Sequence, residues 1–128
     1  MVLDDFVGLP YQTHGRSLEG VDCWGLVWLA AWHLYGLRLP SYTSCYTPKA
    51  GFLEMEQVID NSIENWERVE GRQEKEGDVA LLRLRGRPVH CGLVVSRGKV
   101  LHIKEGMGSI LERYHQRLKV YGFYRYNP

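Results

Sequence analysis

The spacing of hydrophobic positions changes once along this chain, near Gly77. Before it, the spacing is helical. Residues 23–35 read Cys-Trp-Gly-Leu-Val-Trp-Leu-Ala-Ala-Trp-His-Leu-Tyr, apolar on nearly every side, which predicts a buried central helix rather than a surface one. Asp22 is a good N-cap and Gly36 a good C′ residue, so the helix is expected from Cys23 to about Tyr35. Phe52, Met55, Ile59 and Ile63 form one stripe with Glu54, Glu56 and Asp60 outside it, predicting a second helix over about 51–61. Residues 2–7 read as a short helix or an arm. Pro10 biases Leu9 toward extended backbone, residues 12–20 are polar with Gly15 and Gly20 as turn residues, and 37–50 read as a loop.

After Gly77 the alternation is that of strands. Runs rich in Val and Leu cover 78–84 and 89–96, and Arg85-Gly86-Arg87-Pro88 reads as the hairpin between them. Arg97-Gly98-Lys99 is a second turn, followed by Val100-Leu101-His102-Ile103. Short strands are expected at 109–111 and, with an aromatic pattern, at 120–126. Helices followed by sequential strands predict an α+β fold with an antiparallel meander, not a doubly wound parallel sheet. With no internal repeat, low-complexity tract or linker, residues 1–128 are expected to form a single domain.

Composition narrows the function classes. The chain is 45% hydrophobic and 24% charged, as ordinary globular domains are. A formal net charge of +1 supports neither a nucleic-acid partner nor membrane-surface binding. No apolar run approaches the roughly 18 residues of a membrane span. Met1-Val2-Leu3-Asp4-Asp5 is acidic where a signal peptide is basic, so synthesis in the cytoplasm without a signal peptide is expected. The three cysteines, Cys23, Cys45 and Cys91, have neither the even count nor the density of a disulfide scaffold, and reduced thiols are expected. His14, Cys45, Cys91 and His115 lack the close-pair spacing of a zinc site. No metal or organic cofactor is called for.

Cys23 stands where a polar turn becomes an apolar helix. Unsatisfied N–H groups and the helix dipole favour a thiolate there. Position alone leaves two readings open, an activated nucleophile or a small buried cysteine. Asp22 opposes a thiolate unless its carboxylate caps backbone N–H groups and faces away from the sulfur. A nucleophile also needs a base, and His90 and His102 lie on strands joined by the Arg97-Gly98 turn. Antiparallel pairing places them close across the ladder, within a residue of register. His90 then shares a face with Gly92 and Val94, while Cys91 faces the other way and packs in the core. A base oriented by a second histidine completes a Cys-His-His arrangement.

Four stretches, in order, resemble the NlpC/P60 cysteine peptidases. They are Pro10-Tyr11 with Gly15 and Gly20-Val21-Asp22-Cys23-Trp24-Gly25-Leu26-Val27, then Gly77-Asp78-Val79-Ala80-Leu81-Leu82, then His90-Cys91-Gly92-Leu93-Val94-Val95, and Leu101-His102. The resemblance implies a papain-like fold with N-terminal helices packed on a sequential antiparallel sheet. It implies hydrolysis of peptide bonds in bacterial cell-wall peptidoglycan, with the bond between D-γ-glutamyl and a diamino acid as the usual target. By motif position Cys23 is the nucleophile, His90 the base and His102 the residue that orients it. Tyr11 matches a tyrosine beside the nucleophile and, with Asp22, falls on the substrate and oxyanion side.

Two positions depart from the family pattern. Trp24 stands where serine is usual, and Cys91 where an aliphatic residue is usual. Trp24, the absent signal peptide and the short single domain resemble the phage-tail branch of the family. That implies stem peptides of peptidoglycan and other phage tail proteins as partners, and a virion tail acting at the wall. Two other classes fit the same residues: a thiol-dependent acyltransferase or amidase, and a catalytically silent tail- or wall-binding module.

Overall fold

A computed structural model of the chain describes residues 1–42, 65–84, 87–104, 106–114 and 119–127, with backbone alone at 83, 84, 87–90 and 119. The expected helix over 51–61, the Arg85-Gly86 turn, Cys45 and His115 lie outside the described residues.

A 3-10 turn at Leu3–Phe6 precedes a small hairpin of β1 (Arg16–Ser17) and β2 (Gly20–Val21), which feeds directly into helix α1 (Cys23–Tyr35). Six strands follow among the described residues: β3 (Trp66–Val69), β4 (Val79–Leu84), β5 (Arg87–Ser96), β6 (Lys99–Lys104), β7 (Gly108–Arg113) and β8 (Lys119–Tyr126). They form one antiparallel sheet in the order β3-β8-β4-β5-β6-β7. The α+β class expected from the hydrophobic pattern holds, with one α-helix among the described residues on a large antiparallel sheet.

The ends of α1 are set by local chemistry. Gly25 N–H donates to Asp22 Oδ1 at 2.8 Å, and Gly36 takes the left-handed conformation at φ 68°. Gly36 N–H donates to Trp32 O at 3.0 Å and Leu37 N–H to Ala31 O at 3.1 Å, which closes the end of the helix with two backbone bonds.

The expected meander covers β4 to β7 only. The last strand returns to pair with β4 on its other edge, Val79 opposite Tyr124, and it also pairs with the unforeseen β3, Trp66 opposite Tyr126. Burial explains this central position. Tyr124 enters the helix-side core while Phe123 enters the core of the opposite face, and a strand buried on both faces belongs inside a sheet. The helix-side core joins Trp24, Leu26, Val27 and Ala30 to Leu81, Cys91, Leu93, Leu101 and Ile103. The opposite face holds Ala80, Leu82, Val94, Val100, Tyr114 and Phe123.

One ion pair fastens the beginning of β4 to β8. Arg125 Nε and Nη2 donate to the two oxygens of buried Asp78, each at 2.8 Å, and Lys75 N–H adds a third bond at 2.9 Å. The hydrogen bonds to Asp78 raise the already high pKa of Arg125, so the guanidinium stays charged. Asp78 is thereby a structural staple.

Candidate active site

The site is built around the junction of β2 and α1. Cys23 is the first residue of α1 and is half-buried. Both oxygens of the preceding carboxylate are occupied. Asp22 Oδ1 accepts from Gly25 N–H and from Arg16 Nη1 at 3.0 Å, and Oδ2 accepts from His14 N–H at 2.9 Å. Two backbone N–H groups and one guanidinium therefore share the Asp22 carboxylate. Arg16 reaches further, donating through Nη2 to Ser41 O at 2.9 Å and through Nε to Ser41 Oγ at 3.2 Å. It clamps the hairpin, the helix start and the 40–42 segment together.

Close backbone approach explains the glycines of this motif. A Cβ on Gly25 would lie 2.0 Å from Gly15 O, and one on Gly15 would lie 2.2 Å from Gly20 O. Only bare backbone lets the hairpin press against the first turn of α1.

Tyr11 is brought to the same junction. It forms a parallel bridge with Val21, flanked by Val21 N–H to Pro10 O at 3.0 Å and Gln12 N–H to Val21 O at 2.9 Å. Its backbone thus runs beside the two residues that lead into Cys23. Trp24 points into the core instead. It is fully buried, donates Nε1–H to Pro40 O at 2.9 Å, and packs on Tyr42 and Trp66 with ring centroids 5.6 and 6.0 Å away. The unusual residue after the cysteine is therefore a packing residue that holds the 40–42 segment against β3.

Across from the helix, β5 carries His90 opposite Leu82, Cys91 opposite Leu81 and Gly92 opposite Ala80. The side chain of His90 lies outside the described residues. On β6, His102 is fully buried, and its Nε2 lies 2.9 Å from Glu112 Oε2 on β7. A Cβ on Gly92 would lie 3.4 Å from His102 Cβ, so Gly92 is the residue beside His102 across the β5–β6 ladder. The backbone of position 90 lies two residues further along β5, diagonal to position 102 rather than directly opposite it.

Two residues near these groups were not legible from spacing. Glu112 holds the His102 ring, and only the β6–β7 register brings them together. Cys91, expected in the core, meets the Cys23 sulfur there. Burial pushes the Cys91 thiol well up, and the hydrogen bond and charge of the Cys23 sulfur push in the same direction. Cys91 therefore keeps its proton and donates S–H to Cys23. Two hollows among the described residues, about 540 and 370 Å³, both border Tyr35 at the other end of α1 and are not part of this constellation.

Comparison with known proteins agrees with this architecture. The NlpC/P60 family model matches residues 8–121. The NlpC/p60 domain of the peptidoglycan hydrolase SagA is 17% identical with a TM-score of 0.58, over 94% of this chain and 89% of that one. An NLP/P60-family lipoprotein-like protein from Staphylococcus aureus subsp. aureus Mu50 is 18% identical with a TM-score of 0.60, over 98% of this chain and 40% of its own. NlpC2 from Trichomonas vaginalis is 17% identical with a TM-score of 0.59, over 96% and 43%. This chain thus spans most of the SagA domain but less than half of the other two chains. No curated protein sequence is similar enough to count as a relative.

Proposed function

The chain belongs to the NlpC/P60 family, and from that premise we propose that it is a cysteine peptidase that hydrolyses peptide bonds of bacterial cell-wall peptidoglycan, with the D-γ-glutamyl–diamino acid bond as its target. The observation that carries this reading is the setting of Cys23. It opens α1, it is half-buried rather than sealed, and the carboxylate before it is neutralised by Arg16 and backbone N–H groups.

In this reading the Cys23 thiolate attacks the amide carbonyl carbon, forming a C–S bond and an oxyanion. The Cys23 backbone N–H and Tyr11 stabilise that oxyanion. His90, as imidazolium, protonates the leaving nitrogen as the C–N bond breaks. It then removes a proton from the water that attacks the thioester, which releases the carboxylate product and restores the thiolate. His102 orients His90 and is itself held by Glu112.

The test is incubation of the protein and of Cys23→Ala with purified muropeptides, with products identified by mass. The expected products are the two halves of the stem peptide, from the unsubstituted protein alone. Equal hydrolysis by Cys23→Ala would overturn the mechanism. Transfer to an added amine without hydrolysis would favour an acyltransferase.

Carriage on a phage tail, with other tail proteins as partners, is a further part of the proposal. It rests on the resemblance of the Trp24-containing motif to that branch. Detection of the protein in purified virions by antibody labelling of the tail tests it, and virions that lack the protein would overturn it.

A further inference from the structure

Cys91 is a nucleophile-bearing side chain that the proposed hydrolysis does not use, and it lies against the one cysteine that the hydrolysis does use. It stands on β5, fully buried, facing α1, with its S–H directed to the sulfur of Cys23. Cys23 is the more open of the two.

We propose that Cys23 and Cys91 form a peroxide-driven, reversible disulfide, with Cys23 as the oxidised thiol and Cys91 as the resolving thiol. Exposure sets the order of events. A peroxide reaches the half-buried Cys23 and is excluded from Cys91. The Cys23 thiolate attacks one peroxide oxygen, an S–O bond forms, the O–O bond breaks, and hydroxide leaves. Cys91 then gives its proton to hydroxide and attacks the Cys23 sulfur. An S–S bond forms, the S–O bond breaks, and the second oxygen leaves as hydroxide, which becomes water by taking up the proton that Cys23 released on forming its thiolate. Counted from two thiols, one hydrogen peroxide is reduced to two waters and the sulfurs together lose two electrons.

Two features favour closure over further oxidation of Cys23. The sulfurs are already in hydrogen-bond contact, so only a short approach separates them from the bonding distance of about 2.0 Å. The charge that keeps Cys91 protonated belongs in part to the Cys23 sulfur, and a sulfenic acid is neutral at that position. Oxidation of Cys23 thus removes part of the barrier to ionising Cys91. The consequence for hydrolysis, a nucleophile switched off and recovered by reductant, rests on the reading of Cys23 as the catalytic thiol. The bond itself does not.

The experiment treats the protein with one equivalent of hydrogen peroxide and maps its cysteines by peptide mass, with and without dithiothreitol. Expected is a loss of 2 mass units per molecule (~2, two hydrogens), a Cys23–Cys91 linked peptide, and full reversal by dithiothreitol. With two equivalents of peroxide, the amount that a sulfinic acid consumes, Cys23 of Cys91→Ala and of Cys91→Val is expected to proceed to sulfinic acid, which dithiothreitol does not reverse, whereas the unsubstituted protein given the same dose stops at the disulfide. The proposal is overturned if Cys23 reaches sulfinic acid as readily in the unsubstituted protein, or if it links to Cys45 instead. Muropeptide hydrolysis measured on the same samples separates the two readings. Hydrolysis lost and regained with the bond supports both, whereas a bond formed in a protein that never hydrolyses muropeptides supports the disulfide and refutes the peptidase.

Discussion

Arg16 Nη1 lies 3.0 Å from Asp22 Oδ1, immediately before the residue that opens the only described α-helix, and the Asp22 side chain is 3% exposed. A carboxylate so far out of water depends on its cation. Arg16→Ala leaves that charge to two backbone N–H groups and releases Ser41. It is expected to cost about 2–4 kcal/mol in a urea titration, with Arg16→Lys recovering only part because a point charge cannot serve Asp22, Gly15 O and Ser41 together.

Gly25→Ala tests the close approach of the hairpin to α1. The added methyl would lie 2.0 Å from Gly15 O, and the obstacle is backbone. A loss of roughly 3 kcal/mol or more is expected, although alanine is the better helix former by about 1 kcal/mol. A stabilised Gly25→Ala protein in thermal unfolding would contradict this packing.

Cys23→Ala is expected to abolish muropeptide hydrolysis by several powers of ten while leaving the circular dichroism spectrum unchanged. Cys23 is at the edge of the core, and the N-cap bond comes from Asp22, not from the cysteine.

His102→Ala is expected to reduce kcat less than His90→Ala, because it removes orientation and leaves the base. Glu112→Ala is expected to follow His102→Ala in direction. It also costs about 1–3 kcal/mol of stability, since it strips a hydrogen-bond partner from a fully buried ring. If Glu112→Ala lowered stability but left kcat untouched, the His102–Glu112 contact would be structural only.

Tyr114 gives the protein a stability term at alkaline pH. Burial first, and then the hydrogen bond to Glu74, push its pKa up from 10.0 to about 12. The folded value lies above the unfolded one, so this contribution is complete below pH 10 and is lost as pH rises through 12. The shift corresponds to about 2–3 kcal/mol. Tyr114→Phe is expected to be less stable at neutral pH and to show a shallower decline between about pH 10 and 12 when unfolding is followed in denaturant.

Much of this was legible in the chain. Asp22 and Gly36 bound α1 at the expected residues because capping is local chemistry: an N-cap oxygen reaches a donor three residues on, and glycine takes the left-handed C′ position. The strands from β4 to β8 were legible through a period of two, and the family through four motifs in order. The core position of Cys91 was likewise legible through alternation. By contrast, β3 was not foreseen. Its burial alternates imperfectly, with Trp66 and Val69 inside and Glu67 and Arg68 outside, and no periodicity distinguishes four such residues from a loop.

What the sequence determined by itself was local: where the helix starts and stops, which residues alternate, and that a cysteine opens the helix. The tertiary structure alone decided which of those residues meet. It placed β8 between β3 and β4, Glu112 on the ring of His102, Arg16 on Asp22, and the thiol of Cys91 on that of Cys23. Each is a contact between segments distant or folded back along the chain, set by sheet register and by the docking of α1 on β5. Register and docking follow from burying two faces of one sheet at once, a condition that no single stretch of sequence expresses.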